Sequence, residues 1–255
     1  MKVIYPDQVN AVSADFTNAS YPVTNVEDEH PKRLWKSTQT PAILSLAMAS
    51  GSDTVTLFNT NATSVTVVTR NGSSVTWETG ISWESGTTWS TSTEASTTFD
   101  LSASGVGSIW SEYTAIANVH IADFILVNSA GDAIYAGIAR GGLRKNFKDP
   151  KYGIGEGLID YSIEKQLSNG ATYYRKRDVV RDFDFQILLT RDSDFYTFML
   201  TIAQQVGPEP IAWRLSTNNS DFEWVVFCRF NKQKPRGSHD SPKYSNINVK
   251  LIEVV

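Results

Sequence analysis

Between Ala42 and Ser82 the chain falls into short apolar-alternating runs, AILSLAM, TVTLFN, SVTVVTR and SVTWET, each ended by Gly, Asn or Ser. Runs of this length between turn formers predict an antiparallel sandwich. The third and fourth are joined by Asn71-Gly72, a pair that accepts positive φ at low cost and so predicts a two-residue hairpin. Residues 82–106 are rich in Ser, Thr and Gly with Trp83 and Trp89 embedded, too polar for a core and too aromatic for a plain linker. They predict a long loop or excursion. TAIANVHIADFILVNS and AIYAGIARGG supply further strands, and Gly141-Gly142 is read as a domain boundary.

The second half has another rhythm. GLIDYSIEKQL and ATYYRK flank Ser168-Asn169-Gly170, a second hairpin signal. In RDFDFQILLT, Phe183, Phe185, Ile187 and Leu189 alternate with polar residues, so one strand face should meet a core. The period then changes. Phe195, Phe198, Met199, Ile202 and Val206 fall at helical spacing, with Asp192 or Ser193 to cap the start and Gly207-Pro208 to stop it. EPIAWRLS and DFEWVVFCRF read as strands, residues 231–244 as a polar loop, and NINVKLIEVV as a last strand integral to its sheet. The pattern predicts a mainly β protein in two parts, an antiparallel sandwich over residues 1–140 and further strands with one helix over residues 141–255.

Charge sharpens the division. The net charge is −4, but residues 1–139 carry 5 basic and 13 acidic side chains and residues 140–255 carry 18 and 14. Two units with different surfaces and partners would give this split; so would neutral drift in composition. The basic excess is interspersed with acids, so no nucleic-acid surface is expected. MKVIYPDQVNAVSADF lacks the apolar run of an export signal, and no stretch approaches the roughly 20 apolar residues that span a bilayer. A soluble protein made in a cytoplasm, with no membrane insertion, is the expectation.

Reactive chemistry is sparse. The single cysteine, Cys228, excludes an internal disulfide and alternates with Trp224, Val226 and Phe230 as a small buried hydrophobe would. There is no Gly-x-Ser-x-Gly elbow and no Walker loop, and neither His30 nor His120 sits in a recognisable base motif. Glu78, Glu84 and Glu94 lie among tryptophans and would offer paired carboxylates, but acids this common carry little information about pairing. No enzyme, metal or cofactor is expected. Glu27-Asp28-Glu29 is weighed as a calcium loop against a solvated turn, since three consecutive acids on an extended chain cannot all face one cation. For Trp83 and Trp89, ligand contact, partner contact and local loop packing stay open, and Glu27 and Asp28 join them as candidate ligand contacts.

Two resemblances extend this reading. YPVTNVEDEHPKRLWKST, residues 21–38, resembles the start of discoidin-like (galactose-binding-like) domains through Asn25, Asp28, Pro31, Trp35 and Ser37, with Glu29 at the family's usual glycine. The resemblance implies a jelly-roll-like β-sandwich over residues 1–140, with Trp35 plugging one end and loops that bind glycans or proteins. Residues 141–255 are similar to the hub domain of siphophage distal tail and related minor tail proteins, through the order hairpin, strand, helix, strands and through RDFDFQILLTRDSDFYTFMLTIAQQVGPEPIAWRL. That family commonly places the ring-forming domain first, the reverse of the order here. This second resemblance implies a β-sandwich or barrel with one flanking helix, in a non-catalytic subunit of a trimeric or hexameric ring in the virion, set in the phage tail tip between the tail tube and other tail-tip proteins. In the loop 231–244, Lys232, Lys234, Arg236 and Lys243 are then candidate contacts to an acidic neighbour, or the tip of a solvated hairpin. The alternative function is an adhesin that recognises a host surface glycan.

Overall fold

The computed structural model describes residues 1–71, 93–102, 107–118, 120–151, 154–166, 168, 170–191, 193–216, 224–231, 235–239 and 241–254. The protein is mainly β, in two compact units. One comprises Pro6–Asp28 and Arg33–Arg144; the other comprises Met1–Tyr5, Glu29–Lys32 and Lys145–Val255.

The first unit is a β-sandwich. Strands β2 (Val9–Ala14), β4 (Ala42–Met48), β6 (Ser64–Asn71), β7 (Thr93–Asp100) and β9 (His120–Val127) form an antiparallel sheet ordered β2-β4-β9-β6-β7. Opposite it, β5 (Thr54–Phe58) lies between β8 (Ile109–Glu112) and β11 (Ile138–Asn146). Alternation decides which side chains meet: Leu44, Leu46 and Met48 from β4 and Phe124 and Leu126 from β9 pack with Val55, Leu57, Ile109 and Ala139 in one buried cluster. A short pair, β3 (Trp35–Lys36) with β10 (Tyr135–Ala136), closes one end and buries Trp35 completely.

Two expectations change here. Residues 93–100 form an edge strand rather than part of a loop, because its Thr-rich run fits a half-solvated edge while Phe99 packs against the core. Gly141-Gly142 lies inside β11, and the division between the units falls two residues further on, between Arg144 and Lys145. A Cβ at Gly141 would run into the Met48 thioether, so the glycine serves close packing inside the sandwich. The hairpin expected at Asn71-Gly72 falls at the edge of the described residues, and its second strand lies outside them.

In the second unit β12 (Gly155–Asp160), β15 (Val179–Thr190), β19 (Tyr244–Glu253), β17 (Val225–Phe230) and β16 (Ile211–Arg214) form an antiparallel sheet in that order. The sixth strand comes from the other end of the sequence: β1 (Lys2–Asp7) pairs with β16 through Lys2↔Arg214 and Val3↔Trp213. The division at residue 140 therefore misses a strand, since Met1–Tyr5 belongs with the unit formed by the last 111 residues. Phe183, Phe185, Ile187 and Leu189 are buried as the alternation predicts, facing a helix that supplies Phe195, Phe198, Ile202 and Val206. That helix begins with an α-helical turn at Asp194–Tyr196 and widens to i→i+5 bonding over Thr197–Gln204. Ser193 stands at the N-cap without a side-chain capping bond. The pair β13 (Ile163–Gln166) and β14 (Thr172–Arg175) forms a separate hairpin whose residues are all exposed. The loop expected at 231–244 contains a further strand, β18 (Arg236–Ser238), paired with β19. Gly237 permits that pairing because a Cβ there would strike the Phe195 ring.

Candidate functional site

The sandwich presents two exposed aromatic rings on a tightly bound loop. After β2 the chain turns at Phe16, which adopts φ +54° and remains 51% exposed. A bulky residue in the left-handed region is strained, and such strain persists only where the surroundings over-determine it. Here they do. The Phe16 carbonyl accepts from both the Thr38 N–H at 2.7 Å and its Oγ1 at 3.0 Å. The Asn18 N–H donates to the Lys36 carbonyl at 2.9 Å, the Lys36 N–H to the Tyr21 carbonyl at 3.3 Å, and the Tyr21 N–H to the Asn18 carbonyl at 2.9 Å. Beneath them the buried Trp35 indole donates to Thr17 Oγ1 at 3.2 Å. Residues 16–21 are thus strapped to residues 36–38, with Phe16 held outward at one end and Tyr21 at the other. The Lys36 ammonium lies 4.0 Å from the Tyr21 ring centroid.

A polar recess of about 490 Å³ lies among Thr69, Ala95, Tyr113, Thr114, Ile116 and Asn118. The hydroxyl of Tyr113, one of its lining residues, meets Nε2 of the buried His120 ring at 3.0 Å, and the His120 Nδ1 lies 3.3 Å from the Asn118 carbonyl. Burial lowers the His120 pKa below the usual histidine value and holds the Tyr113 phenol protonated, with the Asp53 charge adding to the second effect. A neutral imidazole bonded to a protonated phenol is a structural pair. In the second unit Cys228 is buried, and desolvation pushes its thiol well above the ordinary range.

The candidates drawn from the sequence are dispersed. Trp83 and Trp89 lie outside the described residues, as do Lys232 and Lys234. Glu27 is exposed, and the Asp28 carboxylate accepts from Arg33 Nη1 at 2.6 Å. Arg236 is exposed on β18, and Lys243 is exposed with its carbonyl accepting from the Arg191 N–H at 3.0 Å. Among the described residues no group of three or more His, Cys, Asp or Glu side chains is placed to hold a metal. No helix among them is long and apolar enough to cross a membrane. Phe16 and Tyr21 were not singled out from the sequence, although each is a lone aromatic within the polar run ADFTNASYP.

The second unit carries a charged cleft of about 500 Å³ lined in part by Tyr161, Arg177, Asp178, Arg229 and Glu253. A more apolar groove of about 540 Å³ runs between Met199, Leu200 and Ala203 on the helix and Phe230 and Pro235. Glu253 in the first cleft is held by Arg181 through two hydrogen bonds of 2.9 and 2.7 Å.

No family model and no curated protein matches the sequence. Among the solved structures similar to parts of the chain are three. One is chitosan-binding module 1 of a chitosanase/glucanase from Paenibacillus sp. IK-5 (14% identity, TM-score 0.38, 53% of this chain and 96% of that one). The second is the lectin binding domain of Lectinolysin complexed with Lewis b (12%, 0.39, 52% and 91%). The third is a truncated AlyQ with CBM32 and alginate lyase domains (12%, 0.39, 76% and 49%).

Proposed function

We propose that the chain is a non-enzymatic binding protein whose sandwich unit recognises carbohydrate. The observation that carries this reading is the strapped loop bearing Phe16 and Tyr21. Two exposed aromatic rings stand on a backbone tied down by hydrogen bonds, with the Lys36 ammonium against the Tyr21 ring. A sugar ring offers an apolar face to stack on an aromatic and hydroxyls around its rim, which is the chemistry such a loop can match. The hydrogen bonds that tie residues 16–21 to residues 36–38 preorganise the loop, which lowers the ordering cost of binding.

Binding to arrayed glycans tests this. The parent should bind at least one glycan class, and Phe16→Ala with Tyr21→Ala should weaken that binding by about tenfold or more, the size of an anchor-residue loss. Undiminished binding in the double variant would remove this surface from consideration. Parallel substitution of Trp83 and Trp89 reads out the excursion separately.

A second reading, a ring-forming subunit of a phage tail tip located in the virion, is favoured by the β13–β14 hairpin. Tyr173 and Tyr174 are more than half exposed on a two-stranded arm, and on one face Lys165 and Arg175 stand beside Tyr173 and Ile163. Isolated two-stranded arms are marginally stable alone, and exposed aromatics with cations suit an interface with a neighbouring subunit. Native mass measurement separates the readings: a closed trimer or hexamer supports the ring, and a monomer at high concentration ends it.

A further inference from the structure

We infer that the sandwich unit contains an oxygen cage for a cation and that the guanidinium of Arg140 is its permanent occupant. Arg140 projects from β11 and is largely buried, its side chain 12% exposed. Its Nη1 donates to the carbonyls of Ala139 at 2.9 Å and Val26 at 3.2 Å. Its Nη2 reaches the carbonyls of Glu27 at 3.0 Å and Asp28 at 3.4 Å, and its Nε lies 3.3 Å from Asp7 Oδ2. Four peptide oxygens and one carboxylate therefore converge on a single positive charge. Carbonyls combined with a carboxylate form the hard-oxygen set that calcium takes.

The geometry accounts for what three consecutive acids cannot do. The side chains of Glu27, Asp28 and Glu29 form no metal-holding group, and that of Asp28 is engaged by Arg33. The peptide carbonyls of 26, 27 and 28 converge instead, because the turn at Val23–Glu27 ends there and leaves its last oxygens facing inward. Asp7 closes the cage from β1. Its carboxylate also accepts the N–H groups of Gly141 and Val9, both at 3.3 Å. Burial raises the Asp7 pKa and the Arg140 charge opposes that rise. A guanidinium remains charged at every accessible pH and cannot be removed by a chelator, so the turn is held without metal. This inference does not depend on the carbohydrate reading, because it is read from stability alone.

Thermal unfolding of the full chain tests it, with Arg140→Met and Arg140→Lys compared in EDTA and in millimolar calcium chloride. The parent should unfold at one temperature in both media. Arg140→Met should lose about 5 °C or more in EDTA, the scale expected when buried acceptors lose their charged donor, and recover part of that loss in calcium. Arg140→Lys should fall between the two and ignore calcium. Parent-like unfolding of Arg140→Met in EDTA would overturn the inference, and so would calcium acting equally on parent and variant or on neither. Should Arg140→Met fail to fold, the parent still decides. Its Arg140 guanidinium protons are expected to exchange slowly with water and to stay unmoved by calcium; fast exchange rejects the cage.

Discussion

Removing residues 1–5 should unfold the helix-bearing unit although they lie about 140 residues away from most of it in sequence. Met1 and Val3 are fully buried in its core, and Val3 stands opposite Trp213 on β16. Burying a Met or Val side chain contributes about 1.5–3 kcal/mol, so the two together supply roughly 3–6 kcal/mol before the lost ladder hydrogen bonds are counted. A domain of this size is stable by about 5–15 kcal/mol, so the deletion takes a large share of the whole. Urea unfolding followed by tryptophan fluorescence and circular dichroism is the assay. Residues 145–255 alone should show no cooperative transition, or one at much lower urea than the corresponding transition in the full chain. Residues 1–5 joined to residue 145 through a short flexible linker should recover most of the loss. An unaltered midpoint for 145–255 alone would show that β1 is an ornament on a sheet complete without it.

Two further outcomes are expected in the sandwich unit. Because burial depresses the His120 pKa in the folded state, the unfolded chain takes up that proton first. The contribution is complete above pH ~6.5 and is lost as pH falls from there through the depressed folded value, by up to about 1.4 kcal/mol per pH unit. Denaturant midpoints at pH 7.5 and 5.5 should converge in His120→Gln, and an identical pH dependence in parent and variant would exonerate His120. Gly141→Ala should cost about 1–3 kcal/mol by overpacking against Met48 and Val55, and Gly141→Ala with Met48→Ala should cost less than the sum of the two single changes. Additive losses in that double-mutant cycle would contradict the close approach.

The parts of the fold legible in the sequence are those where local pattern and tertiary environment agree. β15 and β19 alternate cleanly because one face of each is buried, and they pair over nine residues from Asp182↔Ile252 to Thr190↔Tyr244. The helix from Asp194 announced itself through Phe195, Phe198, Ile202 and Val206, all of them buried. β1 did not, since KVIYPD is short and the strand that gives it a core is far along the chain. β7 was hidden for the opposite reason: an edge strand keeps Ser96, Thr97 and Thr98 exposed and so reads like a loop. Among site residues the difficulty was geometric. Arg140 acquires its role from carbonyls more than 110 positions earlier, and carbonyls leave no mark on a sequence. Phe16 owes its outward pose to hydrogen bonds from Thr38, 22 residues on.

The pairing of Val3 with Trp213 also sets a clock. The partner strand is made 210 residues after its mate, 213 − 3, which at roughly 5–20 residues per second leaves the β16-facing edge of β1 open for about 10–40 s of synthesis. During that interval the sandwich can emerge and fold and β11, the other neighbour of β1 in the sheet, can pair with it, while the β16-facing edge of β1 and the side chains of Met1 and Val3 wait for their core. Few short contacts can substitute for a pairing of such long sequence separation, so closure of the second unit should be a late and slow event. A nascent chain stalled before Ile211 should carry a folded sandwich and a β1 whose one edge is still open to pairing, which makes that edge a place for a chaperone or a neighbouring chain to bind.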